Sequence, residues 1–463
     1  MQLNKENFGD YFMWGTATSA CQIEGAYDID GKGKSIWDVF AASRGKIHGG
    51  DNANTACDFY HKYAQDISLM SRLNIPNFRF SLSWSRILPN GTGPVNLKGI
   101  DFYNKVIDFC LDIGIEPWIT IYHWDLPYEL EKKGGWTNRN IINWFSDYVT
   151  ICIKYFGKRV KHWIVLNEPM AFTGAGYFLG VHAPGRKGLS NFLSAMHHTA
   201  LCQAEGGRII KSLSPAAKVG TTFSSSLVQP YSPSEKDNIA ATRIDALLNR
   251  VFVEPLAGLG YPVKDLKFLE RLAPYIKDGD ERKLAFDMDF IGIQNYTREI
   301  VKYSWYTPFI NAQLVKANKR NVQTTTMNWE VYPECIYKML QKFSKYNFKE
   351  IVVTENGAAF PDELVNNEVN DEQRKSYLQQ HLKEVLRAKQ AGVNVTGYFV
   401  WSFTDNFEWA EGYTPRFGLV YVDFLSQKRT IKSSGFWYSD FLKNKVAITN
   451  FNGTKNTGLI CQE

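Results

Sequence analysis

The stretch Ile351-Val352-Val353-Thr354-Glu355-Asn356-Gly357 is a short β-branched run that ends in an acid, an amide and a glycine. Four consecutive β-branched side chains predict a buried strand over Ile351–Thr354, and the glycine predicts a turn soon after it. Burying a carboxylate is costly, so strand packing alone gives no reason for Glu355 to follow this run. The stretch therefore predicts a strand whose carboxyl end carries a reactive side chain.

Runs of this kind recur along the whole chain and alternate with longer segments of helical periodicity. This alternation is typical of parallel βαβ units, and eight units favour a closed (β/α)8 TIM barrel with elaborated loops over the alternative, a doubly wound sheet. The predicted strands are Phe12–Ala17, Asn77–Ser81, Pro117–Tyr122, His162–Asn167, Val219–Phe223, Phe290–Gln294, Ile351–Thr354 and Gly397–Trp401. The predicted helices include Ile100–Asp112, Arg139–Phe156, Leu189–Leu213 and Asp371–Gln390, the last with Asp371 as its N-cap.

Composition indicates a soluble enzyme with one domain. No linker or low-complexity segment interrupts the 463 residues, so we predict a single barrel domain over residues 1–463. Aromatic residues make up 14% of the chain and include 13 tryptophans. Because an indole N–H needs a partner when it is buried, so many tryptophans favour flat apolar surfaces for ligands such as sugar rings, although large cores also use tryptophan.

Several partner and cofactor classes are disfavoured by the sequence. The net charge of +6 is spread along the chain without a run of five like charges, which argues against nucleic-acid and membrane partners. No HExxH motif, Cys/His cluster or GxGxxG motif is found, so we expect no metal and no cofactor. The segment Gly31–Ser35 resembles the end of a phosphate-binding loop, but Asp28 stands where that motif needs a glycine.

Cysteine usage and the first residues predict a cytoplasmic protein. The segment Met1–Asn7 is polar and lacks the apolar core of a secretory signal. The seven cysteines are an odd number, are widely spaced and form no CxxC pair, which favours reduced structural thiols. They are Cys21, Cys57, Cys110, Cys152, Cys202, Cys335 and Cys461.

Polar and aromatic side chains follow or end most of the predicted strands. In a barrel all of these points lie on one rim, the carboxyl-terminal face, where loops build the active site. The side chains that we expect to converge there are Arg79, His123, Trp124, Asn167, Glu168, Tyr296, Glu355 and Trp401.

Glu168 and Glu355 follow the fourth and seventh strands, so a barrel places them across one cavity mouth. Cleavage of an acetal needs a proton for the leaving oxygen and electron density for the anomeric carbon, and two carboxyl groups about 5 Å apart supply both with retention. Burial and mutual repulsion would keep one of them protonated. We expect Arg79 and Tyr296 to keep the other ionised, and Asn167 to bind a sugar 2-hydroxyl.

With these residues in view, the sequence resembles glycoside hydrolase family 1, the β-glucosidase family, over nearly its whole length. The most specific matching motifs are Leu166-Asn167-Glu168-Pro169, Thr354-Glu355-Asn356-Gly357 and the segment 401–409, WSFTDNFEW. The match extends from Phe12–Ser19 to the segment 416–423, RFGLVYVD. The resemblance implies a (β/α)8 barrel and a retaining β-glycosidase that uses double displacement.

The resemblance also implies roles for individual side chains. Glu355 corresponds to the nucleophile of the family and Glu168 to its general acid/base. The other implied roles concern substrate binding. Trp401 lies beneath the non-reducing sugar, Trp329 is the platform for the leaving group, and Trp124 and Phe417 are further substrate-binding residues. The residues that hold the non-reducing sugar are Gln22, His123, Asn167, Glu408 and Trp409. Without the resemblance, ordinary packing is the favoured explanation for each of these residues, such as a single histidine or tryptophan. It also implies a cis bond between Trp401 and Ser402.

The chain departs from the family pattern at three positions. Gln294 stands where the family usually has asparagine, which puts its hydrogen bonding in doubt, while Tyr296 keeps the place of the active-site tyrosine. Cys21 and Cys335 also stand where other residue types are expected.

The residues at positions 408 and 168 indicate which substrates within the family this chain would accept. An acid at position 408 would repel a phosphate, which favours neutral glycosides over 6-phosphoglycosides. The presence of Glu168 argues against thioglucosidases, whose leaving group needs no proton. We therefore predict a β-glucosidase acting on a small carbohydrate or glycoside. The alternatives are a sugar-binding barrel protein without turnover, and a barrel enzyme that uses a Schiff-base lysine or a metal.

Overall fold

A closed barrel of eight parallel strands forms the centre of the molecule in the computed structural model, which describes residues 3–443. Each strand pairs with its neighbours in chain order, and the first strand closes the barrel against the eighth through pairs such as Gly15 with Phe399. The strands are β1 Met13–Ala17, β2 Asn77–Ser81, β3 Glu116–Tyr122, β4 His162–Asn167, β5 Lys218–Ser224, β6 Phe290–Gln294, β7 Glu350–Asn356 and β8 Val395–Trp401.

Helices lie between the strands. Glu334–Phe343 illustrates why they form: Ile336, Met339, Leu340 and Phe343 recur at helical spacing and are all buried. The α-helices are Ala20–Ile23, Ile36–Ala41, Phe59–Arg72, Trp84–Ile87, Leu97–Asp112, Tyr128–Glu131, Ile141–Phe156, Pro169–Thr173, Leu189–Leu213, Glu235–Asp245, Val253–Leu256, Asp280–Leu284, Glu334–Phe343, Glu372–Gln390 and Ser433–Leu442.

All eight predicted strands are confirmed, with ends that differ by at most two residues. The doubly wound alternative is wrong, because the sheet closes on itself. Leu189–Leu213 was predicted with its observed bounds, and the other three named helices differ by up to three residues at their amino ends.

Asp371 does not cap the helix Glu372–Gln390 as predicted. It occupies the N-cap position but makes no capping hydrogen bond. Its buried carboxylate is instead paired with Arg374, and it accepts hydrogen bonds from the backbone N–H of Ser434 at 2.7 Å and from the Ser434 hydroxyl. A buried carboxylate is stabilised more by a guanidinium and two donors than by one exposed helix end, which explains the difference.

Large aromatic rings fill the barrel interior. Trp118 on β3 lies 4.9 Å from the ring of Phe399 and 5.4 Å from that of Phe290. Gly15 and Gly220 make this possible: a Cβ at either position would stand 2.4 Å from an atom of Phe399 or Phe290. The rings close the barrel, so the pocket for a ligand lies at the carboxyl ends of the strands.

Three further strands form a separate small sheet outside the barrel, and two of them follow β5 and β6 at this rim. Leu227–Pro230 follows β5 closely and pairs in parallel with Arg298–Tyr303, which follows β6. Ala312–Leu314 completes the sheet as an antiparallel edge strand.

The described part of the chain provides three further observations. Among residues 3–443 no helix is long and apolar enough to cross a membrane. Within the same residues, no group of three or more His, Cys, Asp or Glu side chains is arranged to hold a metal ion. Six of the seven cysteines are free thiols, and Cys461 lies outside the described residues.

Candidate active site

Glu355 lies near the end of β7 and is held by three hydrogen-bond donors. Its Oε1 accepts from Nη1 of Arg79 and, at 2.8 Å, from Nε2 of Gln294. Its Oε2 accepts from the Tyr296 hydroxyl at 2.6 Å. The residue is only 3% exposed. A guanidinium and two neutral donors around one carboxyl group favour its ionised form and fix its orientation.

Glu168 follows β4 directly and takes an unusual backbone conformation. It is the N-cap residue of the short helix Pro169–Thr173, with a left-handed φ of 45° that few residues other than glycine adopt. Its backbone N–H donates to the carbonyl of Thr222 on β5 at 3.1 Å. Proline at the first helical position has no N–H to leave unpaired. These features turn the chain sharply and place a buried carboxyl group at the barrel mouth.

The two carboxyl groups differ in their electrostatic surroundings. Burial raises the pKa of Glu168 well above its usual value, and the charge of Glu355 raises it further, while a hydrogen bond from Ser224 and the charge of Arg79 oppose the rise. Burial also raises the pKa of Glu355, but Arg79 and the hydrogen bond from Tyr296 counteract it. The arrangement therefore favours one proton on Glu168 and a charge on Glu355.

Asn167 forms hydrogen bonds that link the residues around Glu355 to His123. Its Oδ1 accepts from Nη2 of Arg79, from Gln294 at 2.7 Å and from Oγ1 of Thr222 at 3.0 Å. Its Nδ2 lies 3.0 Å from Nε2 of His123. Burial and the charge of Arg79 lower the pKa of His123 well below its usual value, so this imidazole is neutral and accepts from the amide.

Gln22 and Glu408 form a second polar group. Nε2 of Gln22 donates to the carbonyl of Phe407 at 2.9 Å and to Oε2 of Glu408 at 3.5 Å, and the Ser19 hydroxyl donates to its Oε1 at 2.6 Å. Burial, together with the charges of Glu355 and Glu411, raises the pKa of Glu408 to about 8. The result is a carboxyl group near Glu355 with unused hydrogen-bonding capacity.

Aromatic rings line both sides of these polar groups. On one side Trp409 lies 4.7 Å from the ring of Trp124 and 5.9 Å from that of His123. The His123 ring also stacks near Trp401 at 6.0 Å. On the other side, Tyr296 lies 5.3 Å from Trp329 and 6.2 Å from Phe417.

A protein-family model described as "Glycosyl hydrolase family 1" matches residues 4–447. The chain belongs to glycosyl hydrolase family 1. This match covers nearly the whole sequence, and it confirms the resemblance that the motifs around Glu168 and Glu355 indicated.

Named relatives in the family are similar along their full lengths. Beta-glucosidase A of Thermotoga maritima is 42% identical over 447 residues, which cover 96% of this chain and 99% of that protein. A 1,4-beta-D-glucan glucohydrolase of Thermotoga neapolitana is 42% identical over 442 residues, covering 95% of this chain and 99% of the relative.

Solved structures of family 1 members have the same fold. The family 1 b-glucosidase from Thermotoga maritima superposes with a TM-score of 0.92 at 41% identity, covering 95% of this chain and 98% of that one. A complex of the Thermotoga maritima beta-glucosidase with glucoimidazole gives a TM-score of 0.90, also at 41% identity, covering 95% of this chain and 99% of that one.

Hydrogen bonds and ring contacts bring together the predicted side chains around Glu355, His123 and Trp409. The carboxyl group of Glu168 is linked to them by the charge of Glu355 and by a hydrogen bond from Ser224. The bond between Trp401 and Ser402 is cis, as predicted. Three residues that contact the site residues were not among the predicted site residues. Gln294 was noted only as a departure from the family pattern, although it contacts Glu355. Thr222 had one signal, its place in the predicted fifth strand, and Trp37, whose ring lies 4.5 Å from Trp409, had none beyond its residue type.

Proposed function

We propose that this family 1 protein is a retaining β-glucosidase that releases non-reducing terminal β-D-glucosyl residues from aryl or alkyl glycosides and short oligosaccharides. The observation that carries the proposal is the unequal environment of two buried carboxyl groups. Three donors surround Glu355 and favour its charge, whereas Glu168 lacks a guanidinium partner and carries the larger upward shift of pKa. A double displacement needs this division between nucleophile and acid.

In the first step, a carboxylate oxygen of Glu355 forms a bond to the anomeric carbon. The bond from that carbon to the leaving oxygen breaks, and this oxygen takes the proton of Glu168. In the second step Glu168, now ionised, removes a proton from water, whose oxygen attacks the anomeric carbon and releases Glu355. The two inversions together retain the configuration, and they require the carboxyl groups to be about 5 Å apart.

The polar group on the far side of the pocket suits the hydroxyls of a glucosyl residue. Glu408 can accept from two hydroxyls at once, while Gln22, His123 and Asn167 provide directional contacts. Trp401 offers a flat face beneath the ring, and Trp409 lies beside it. Tyr296, Trp329 and Phe417 line the side where the leaving group would lie, and Trp124 supports the wall around Trp409.

The acid at position 408 favours a neutral sugar. A 6-phosphate group beside Glu408 would bring a negative charge next to this partly buried carboxyl group, and the repulsion would raise the pKa of Glu408 further and weaken binding of the phosphate. We also propose a cytoplasmic location, and one domain over residues 1–463, as the sequence indicated.

Turnover of an aryl β-glucoside, measured with and without a chelator, tests the proposal. We expect release of the phenol with and without chelator, and loss of about four orders of magnitude or more in Glu355→Gln. Product analysis by NMR should show β-glucose first. Binding without turnover would instead support the sugar-binding alternative, sensitivity to the chelator would support a metal-dependent barrel, and α-glucose as the first product would contradict retention.

A further inference from the structure

Five aromatic side chains stand in solvent at the distal end of the small sheet outside the barrel. They are 39% to 75% exposed, and none of them belongs to the site described above. We call this group the aromatic tip. It comprises Tyr231, Tyr303, Trp305, Tyr306 and Phe309. Contiguous exposed apolar groups on a soluble protein often mark a binding surface, and the ring pair of Trp305 and Tyr306 is such a group.

Hydrogen bonds hold the loop that carries Trp305, Tyr306 and Phe309, and the strand end before it. The Thr307 hydroxyl donates to the carbonyl of Ser304 at 3.1 Å and lies 2.9 Å from the carbonyl of Ala312, while the backbone N–H of Asn311 donates to the carbonyl of Thr307 at 2.8 Å. Asp237 accepts from the backbone N–H of Tyr303 at 2.7 Å. These hydrogen bonds constrain the backbone beneath the rings, which lowers the entropic cost of binding.

The rings themselves form a pair rather than scattered single groups. The ring centroids of Trp305 and Tyr306 are 3.9 Å apart at an interplanar angle of 31°. This pair keeps its outer faces in water, since the two residues are 67% and 75% exposed. A flat aromatic face suits the apolar C–H face of a pyranose ring, as at the pocket floor proposed for Trp401.

The strands beneath the aromatic tip begin at the active site. Arg298–Tyr303 starts two residues after Tyr296, whose hydroxyl contacts Glu355. At its start, Arg298 is paired with Glu330, the neighbour of Trp329. The strand of six residues then runs to Tyr303, a rise of about 17 Å over five steps. Leu227–Pro230 runs beside it in parallel and leads to Tyr231. The tip is thus continuous with the proposed leaving-group side of the pocket.

We propose that the aromatic tip binds distal sugar residues of a β-linked glucan chain whose non-reducing end lies in the active site. The inference rests on the proposed function and extends it from short glycosides to longer chains. A chain held at both places is bound at two points, which raises its affinity without changing the chemical step. Two Thermotoga neapolitana relatives bear the name 1,4-beta-D-glucan glucohydrolase, which names a chain as their substrate.

Kinetics on soluble β-1,4-linked glucose oligomers of increasing length test whether the aromatic tip binds sugar residues. In the double variant Trp305→Ala/Tyr306→Ala, we expect KM for the longest soluble oligomer to rise about three- to tenfold. The aryl β-glucoside and the disaccharide should keep their kcat and KM, because they do not reach the tip. Tyr11→Ala is the matched control: Tyr11 is 96% exposed and precedes β1 at the opposite end of the barrel.

Two outcomes would overturn the inference. One is an unchanged dependence of KM on chain length in the double variant. The other is a wild-type dimer that the double variant converts to a monomer with the length dependence intact, which would assign the tip to a second copy. Titration of Glu355→Gln with the longest soluble β-1,4-linked glucose oligomer, with and without the tip substitutions, measures binding when turnover is absent. It therefore separates failure of the tip from failure of the proposed β-glucosidase activity.

Discussion

The side-chain amide of Gln294 donates a hydrogen bond to Oε1 of Glu355 across 2.8 Å. The same nitrogen lies 2.7 Å from Oδ1 of Asn167. One amide at the end of β6 therefore links the carboxyl group on β7 to the residue that precedes Glu168 on β4. At this position, where the resemblance implied asparagine, the glutamine of this chain contacts both partners.

Replacing Gln294 should weaken the reaction and shift its pH dependence. In Gln294→Leu, Glu355 loses a donor that favours its charged form, so we expect kcat/KM to fall about ten- to a hundredfold and the acidic limb to move to higher pH. Gln294→Asn should lie between this variant and the wild type. Gln203→Leu, at a buried glutamine that contacts Phe252 and Thr221, is the control and should leave the pH profile unchanged. An unchanged limb in Gln294→Leu would mean that the amide does not influence Glu355.

Removing the Tyr296 hydroxyl should move one side of the pH profile. The proposed double displacement requires ionised Glu355 and protonated Glu168, so kcat/KM should follow a bell-shaped curve. The Tyr296 hydrogen bond lowers the pKa of Glu355. Tyr296→Phe should therefore raise that pKa and shift the acidic limb upward, with a roughly tenfold loss at the optimum. Tyr438→Phe, which removes a hydroxyl bonded to Gly15, is the control; equal shifts in both variants would refute the assignment.

The effect of Glu168→Ala should depend on the leaving group. A nitrophenolate departs without a proton, so the first step on a nitrophenyl glucoside should remain close to the wild-type rate. With an alkyl glucoside the same step should slow by about 10² to 10⁴. Pre-steady-state release of the leaving group measures this step directly. Equal losses on both substrates would contradict the role of Glu168 as acid.

Asp125 should make stability depend on pH. Burial, with the charge of Glu24, raises its pKa to about 8, although a hydrogen bond from Ser83 opposes this. The folded state thus keeps a proton that the unfolded state loses above roughly pH 4. Stability therefore falls as pH rises from about 4 to 8, because the unfolded state binds fewer protons there. Asp125→Asn stays neutral at every pH and should lack this decline.

Thermal unfolding at pH 5 and pH 8.5 measures the contribution of Asp125. Relative to the wild type, the Tm of Asp125→Asn should rise by about 1–3 °C between the two pH values. Asp101→Asn, at an exposed position, is the matched control, and its Tm should differ from that of the wild type by the same amount at both pH values. Parallel behaviour of the two variants would show that Asp125 does not carry this pH dependence.

Local patterns in the sequence predicted most of the fold. The eight β-rich runs matched the barrel strands closely, because a buried parallel strand needs a short β-branched or aromatic run and little else. Glu168 and Glu355 stood out for the same reason: each follows such a run, where packing alone gives no reason for a carboxyl group. The predicted cap at Asp371 is wrong because its carboxylate pairs with Arg374 and with Ser434, and Ser434 is 63 residues away in the sequence.

The sequence by itself determined the barrel, its catalytic carboxyl candidates and the family to which the chain belongs, since these depend on local residue patterns and their order. Only the tertiary structure decided how the proton and the charge are shared, because that division depends on which donors surround each acid. Arg79, Gln294 and Tyr296 come from different parts of the chain and converge on Glu355. The free energy of a buried charge depends on neighbours within a few ångströms, and only folding selects those neighbours.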